Sequence, residues 1–183
     1  RDRNAKKCKI KTLTLIFSMK NKPFLKSTFI ERLSQLIVLL LGLVFLLVLI
    51  AQQKIDGSFS LNGAVPQKYS LYLASGFKPG GNAVLAFHAL NTARWDSRSW
   101  RDTLIVFAEQ NGLLLICPDG GPDGRVNDEE DTTFTSVLLD SVSLWYPFRK
   151  DLLVAMGFSW GGLTTYTYGI SHSEKFKGFI PIG

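Results

Sequence analysis

The chain has 183 residues, 46% hydrophobic and 20% charged, which is enough to bury one sizeable core and too apolar for a disordered segment. Its net charge of +6 is uneven: residues 1–51 hold ten Lys and Arg against two acids, and residues 52–183 hold eleven against thirteen. The pI near 9.4 therefore describes the first fifty residues, and the remainder has no basic face to offer nucleic acid.

No residue from Leu33 to Gln53 is charged, and LIVLLLGLVFLLVLIA (36–51) is almost purely aliphatic, preceded by Lys20, Lys22, Lys26 and Arg32. Its sixteen residues fall between the core of a signal peptide, about 7 to 15, and a membrane span, about 18 to 20. Residues 19–52 are accordingly read as a signal peptide cleaved near Ala51 or as a retained N-terminal anchor, the only membrane contact expected. In both cases the positive flank stays in the cytoplasm and the following chain is exported, giving a secreted, periplasmic or membrane-anchored domain. Met19 opens this leader, so residues 1–18, which begin with Arg1 and include Cys8, are read as non-native upstream sequence. Cys117 is then the one thiol of the exported part, and a buried, unpaired role is expected.

Residues 54–183 are read as one domain. GSFSLNGAVPQKYSLYLASG (57–76) alternates apolar and polar residues around Asn62-Gly63, which predicts a hairpin. NAVLAFHAL (82–90) predicts a short apolar strand, and Trp100, Leu104, Phe107 and Ala108 are at helical spacing within 95–110, ended by Asn111-Gly112. LLLICPDG (113–120) predicts another apolar strand, and 131–146 a helix capped by Asp131. LLVAMGFS (152–159) predicts a third apolar strand, 161–175 a helix and FKGFIPIG (176–183) a fourth. Apolar strands without alternation, separated by helices, predict an α/β fold with a mostly parallel sheet covered by helices on both faces.

GFSWGG (157–162) puts Ser159 between a strand ending at Gly157 and a helix beginning near Gly161. A serine on that turn is exposed at the sheet end in a strained conformation, and a side chain at Gly157 or Gly161 would strike neighbouring backbone. The helix behind it directs free N–H groups and a positive dipole end at the serine, suited to an oxyanion.

VLAFHAL, LLLICPDG, DTTFTSVLLDSVSLWY and LLVAMGFSWGG together resemble the first half of an α/β-hydrolase, most of all the secreted poly(3-hydroxybutyrate) depolymerase and feruloyl or acetylxylan esterase-like group. The resemblance covers 54–183 and implies an α/β-hydrolase sheet truncated after the strand that follows the nucleophile helix. It implies Ser159 as nucleophile of a carboxylic ester hydrolase, with the backbone N–H groups of Trp160 and Leu90 as oxyanion donors and His88, Gly157 and Gly161 shaping the site. No cofactor is implied, and the partner is a small or polymeric ester, such as a polyester or a plant-polysaccharide ester. The sequence departs from the group at His88-Ala89, where the group has His-Gly, and in the bulk of Trp160.

The two histidines, His88 and His172, are poor general bases. His172 lies thirteen residues after Ser159, about 20 Å along a helix, and His88 has the site-shaping role by resemblance. In this fold the chain order is Ser, then acid, then His, and Glu174 is the sole carboxylate after Ser159. The acid and the histidine of a triad are therefore expected outside these residues, and the chain alone is expected to be inactive. The alternatives are a serine peptidase of the same fold and a catalytically inactive, membrane-tethered binding domain. DGGPDGRVNDEE (119–130) also matches part of a calcium loop through Asp119, Asp123, Asn127 and Glu130, but has Gly121 where an oxygen ligand belongs. An acidic surface loop is the preferred reading there.

Overall fold

The computed structural model describes residues 24–50, 53–90, 94–126 and 129–183, in two compact units divided after Leu49. The described residues of the first unit form α1 (Phe24–Ile50), rich in leucine and without an internal proline. Among the described residues no helix is long and apolar enough to cross a membrane. Residues 1–18, the expected cleavage point at Ala51 and Cys8 lie outside the described residues.

In the second unit β1 (Gln53–Phe59) and β2 (Gln67–Leu73) form an antiparallel hairpin with Gln53 opposite Leu73 and Phe59 opposite Gln67. The chain reverses at Asn62 and Gly63, with φ of 49° and 81°, a left-handed pair that Asn and Gly adopt at least cost. The hairpin starts earlier than its alternating residues indicate, because β1 begins in the polar stretch at Gln53.

Four further strands are β3 (Ala83–Phe87), β4 (Leu114–Pro118), β5 (Val154–Phe158) and β6 (Gly178–Ile182). The six-stranded sheet has the order β1-β2-β4-β3-β5-β6; β4, β3, β5 and β6 are mutually parallel and β2 joins β4 antiparallel. All five residues of β3 and of β4 are buried, as continuous apolar strands in the middle of a covered sheet must be.

The connecting helices are α2 (Ser97–Asn111), α3 (Glu129–Trp145) and α4 (Trp160–Ser171). Successive strand residues face opposite sides, so Leu85 and Phe87 join α3 and Tyr168 of α4 in one core, whereas Val84 and Ala86 join Trp100 and Ala108 of α2 in the other. Helix α2 is capped by Asp96 and Ser99, which exchange backbone bonds in a capping box, and closes on Gly112 at φ 60°.

Two expected boundaries are corrected. Helix α3 starts at Glu129, so Asp131 lies in its first turn, buried, where it accepts a hydrogen bond from Gln67 Nε2 at 2.8 Å instead of capping the helix. Helix α4 ends at Ser171, and Ser173–Lys175 form a separate 3-10 turn, because the carbonyl of His172 takes its bond from Lys175 three residues on. Cys117 is fully buried in β4, as expected.

Candidate active site at the nucleophile turn

Ser159 follows the last residue of β5 and precedes the first of α4, with φ 55° and ψ −115°, one of two non-glycine residues with positive φ among those described. The side chain is exposed at the C-terminal end of the parallel strands. Three glycines make this turn possible. A Cβ on Gly157 would run into the Gly161 carbonyl and approach Thr165 Oγ1 to 2.8 Å, and one on Gly161 would run into the carbonyl oxygen of Phe87. A Cβ on Gly162 would stand 2.6 Å from the carbonyl oxygen of Ile182. The first turn of α4 is therefore wedged between the ends of β3, β5 and β6, and no side chain fits at those contacts.

The same wedge brings the end of β3 to the serine. Phe87 pairs with Gly157 across the sheet, and the Phe87 and His88 carbonyls abut Gly161. Leu90, two residues further along the chain from His88, is half-buried. The residues expected to shape the site, His88, Gly157 and Gly161, thus converge on one turn, with Ser159 at its apex.

His88 is buried, with one ring nitrogen against a carbonyl and the other facing a carboxylate. Nδ1 lies 2.5 Å from the carbonyl oxygen of Ala89, and Nε2 lies 3.0 Å from Asp119 Oδ1, close but off the axis of a hydrogen bond. Nδ1 is turned to the Ala89 carbonyl and Nε2 to Asp119, so neither of these contacts joins the ring to Ser159. His172 stacks on Tyr168 at 4.2 Å between ring centroids, its Nδ1 3.0 Å from the Tyr168 carbonyl oxygen at the far end of α4. Glu174 is exposed in the 3-10 turn beyond it.

Trp160 is half-buried, and the Arg125 guanidinium lies 4.7 Å from its ring centroid. Trp95 meets Trp100 edge-on and both approach Phe158, and Trp100 is buried in the core.

Among the described residues, the candidate calcium ligands are not gathered. Asp119 is turned to His88, Asp123 is bound to Arg125 through the backbone N–H at 3.0 Å, and Glu130 is exposed. Asn127 lies outside the described residues, and among the described residues no three acidic, histidine or cysteine side chains gather as metal ligands. The loop holds its acids apart because Pro122 and the turn closed by Gly124 N–H on the Gly121 carbonyl send them in different directions.

Sequence reasoning missed the contact of Asp119 with His88. The signal lies in strand alignment: β3 and β4 pair in parallel with Ala83 opposite Leu114 and Leu85 opposite Ile116, and continuing that offset places His88 opposite Asp119. Both residues end an apolar strand, so aligning strand ends would have paired them.

No family profile matches the chain and no curated protein matches it. Solved structures do. The fluorophosphonate-binding serine hydrolase FphF of Staphylococcus aureus aligns with a TM-score of 0.59 at 16% identity, over 71% of this chain and 56% of its own. The poly(3-hydroxybutyrate) depolymerase LpqC of Bordetella parapertussis aligns at 0.58 and 16%, over 71% and 50%, and an acetyl xylan esterase of Aspergillus awamori at 0.57 and 14%, over 70% and 50%. The chain therefore has the α/β-hydrolase fold, and it spans about half the length of these structures.

Proposed function

We propose that residues 54–183 are the nucleophile-bearing part of an exported serine hydrolase that cleaves carboxylic esters through an acyl-enzyme on Ser159. The observation that carries this reading is the backbone of Ser159. A serine at φ 55° between three glycines that admit no Cβ is a costly local structure, and it does nothing for the core, since the side chain is exposed. The likeness to a serine hydrolase, a depolymerase and an esterase supports the same chemistry.

In this reading Ser159 Oγ adds to the ester carbonyl as its proton passes to a base, the alcohol leaves with a proton, and water then releases the acid from the acyl-serine. The oxyanion faces the N-terminal end of α4, where the Trp160 N–H and the Leu90 N–H are the donors and the helix dipole adds positive potential. His88 is turned to Ala89 and Asp119 and His172 sits at the far end of α4, so in this reading neither histidine supplies the base. Export rests on the uncharged run 33–53 behind its basic flank. The ester is a polyester or a plant-polysaccharide ester by the resemblance of the sequence.

Fluorophosphonate labelling of the full-length protein tests the proposal. Ser159 should label, and Ser159→Ala should not. A folded full-length protein that fails to label would leave an inactive binding domain as the better reading.

A further inference from the structure

We propose that Asp119 is a positioning residue that, through His88, aims the Leu90 N–H at the oxyanion of the Ser159 reaction. The inference rests on the ester-hydrolase reading and deepens it. Its basis is the planarity of one peptide unit. The Ala89 carbonyl and the Leu90 N–H belong to the same trans peptide, so they point in opposite directions in one plane. His88 Nδ1 holds the Ala89 oxygen at 2.5 Å, and fixing that oxygen fixes where the Leu90 N–H points.

The ring needs a support of its own, because one contact to a carbonyl leaves an imidazole free to swing. Asp119 supplies it from the other side, with Oδ1 3.0 Å from Nε2, and both side chains are buried. Asp119 is itself anchored. Its backbone N–H donates to the Lys68 carbonyl at 2.9 Å, and its Oδ2 lies 3.5 Å from Ser97 Oγ at the start of α2. The ring thus lies between a carbonyl on one side and a carboxylate on the other, both of them acceptors. On the opposite face the Phe87 and His88 carbonyls rest on Gly161, so the segment is clamped between α4 and the His88–Asp119 pair. This clamp also answers the His88-Ala89 departure: the added methyl of Ala89 is buried and leaves the peptide that carries the Leu90 N–H in the same hold.

A buried pair that only stabilised the fold would show the same contacts, so the test separates stability from aim. In the full-length enzyme, with active sites titrated by fluorophosphonate, Asp119→Asn keeps the size of the side chain but offers only one partner's worth of the clamp. Losing an oxyanion donor costs about 10²–10³ in kcat, and misaiming one should lower kcat about tenfold with KM within about twofold. His88→Asn should do the same, and the double variant should fall no further than the worse single one, since the two act as a unit. Unchanged kcat per titrated site, or losses that multiply, overturns the proposal. A second arm needs no turnover: in the full-length protein the backbone amide resonances of Ala89 and Leu90 should move in Asp119→Asn while those of α2 and β6 stay in place. Unmoved Ala89 and Leu90 resonances also overturn it. A wild-type enzyme that neither labels nor hydrolyses ester sinks the hydrolase reading instead, and the resonances still decide whether Asp119 sets the peptide.

Discussion

The backbone N–H of Ser159 donates to the carbonyl oxygen of Ile182 at 2.7 Å, so the residue at the apex of the turn is held by the neighbouring strand β6. The same carbonyl blocks a side chain on Gly162. Ser159 in turn accepts from the Leu163 N–H at 3.1 Å, which begins the helix behind it. A positive φ persists at a serine because bonds on both sides of it over-determine the backbone there.

That strain is measurable. Ser159→Gly removes the Cβ that disfavours φ 55° and should raise stability by about 1 kcal/mol over Ser159→Ala, which keeps the Cβ. Both variants lose the hydroxyl proposed as nucleophile, so both should fail to label with fluorophosphonate. Urea midpoints of the two variants make the comparison, and equal midpoints would show that the serine backbone stores no strain.

Gly161→Ala should be far more damaging than its one added methyl implies. The methyl would be driven into the Phe87 carbonyl and lie 2.6 Å from that of His88, and backbone in the middle of a sheet cannot swing aside as a flexible side chain can. A loss of about 3 kcal/mol is expected. Gly178→Ala, where nothing lies within 4 Å of the new Cβ, should change stability by no more than about 0.5 kcal/mol. Thermal unfolding of the two variants gives the contrast, and similar losses would mean that packing at the turn is loose.

The layered fold was readable because its signals are local and periodic. VLAF and LLLIC are short, continuously apolar runs bounded by turn residues, which suits covered strands, and Asn111-Gly112 after a helically spaced apolar set marks a helix end. Ser159 was readable because the strain of its turn forces glycine at 157 and 161, which leaves a mark in the sequence. The His88–Asp119 contact was not, since the two lie 31 positions apart and meet only through the β3–β4 register. Asp131 misled for a related reason: the sequence before an apolar run looks like a cap, whereas the tertiary partner Gln67 claimed the carboxylate.

Glu109 ties α2 to the end of β2 and should make stability depend on acid. Its carboxylate accepts from Ser75 Oγ at 2.6 Å, from the Ser75 N–H at 2.9 Å and from Tyr72 Oη at 2.6 Å. These bonds, those of Ser75 foremost, hold its carboxyl below the usual carboxylate range. A lowered pKa in the folded state means the unfolded chain takes the proton more readily, so the stabilisation is present above the ordinary glutamate pKa of about 4.3 and fades as pH falls below it. Glu109→Gln should cost roughly 1 kcal/mol at pH 7, kept small by solvent around the carboxylate, with the gap to wild type closing below about pH 4. Urea midpoints from pH 7 to pH 3 check this, and parallel curves would remove Glu109 from the acid response.

Cys117 should be chemically silent until the sheet opens. It lies at the centre of the sheet in β4, without a disulfide partner among the described residues, and burial pushes its thiol well above the ordinary cysteine range. Reaction with a disulfide reagent requires the thiolate and a path to it, and both are missing in the folded domain. In a Cys8→Ser chain no thiol should react with Ellman's reagent under native conditions, and one should react at once in denaturant. The slow native reaction that remains should follow the rate or population of unfolding, rising as urea is added, because opening β4 from between β2 and β3 breaks the core on both faces. A fast native reaction would mean that the sheet opens locally around β4, and with it the His88–Asp119 contact that β4 carries at its end.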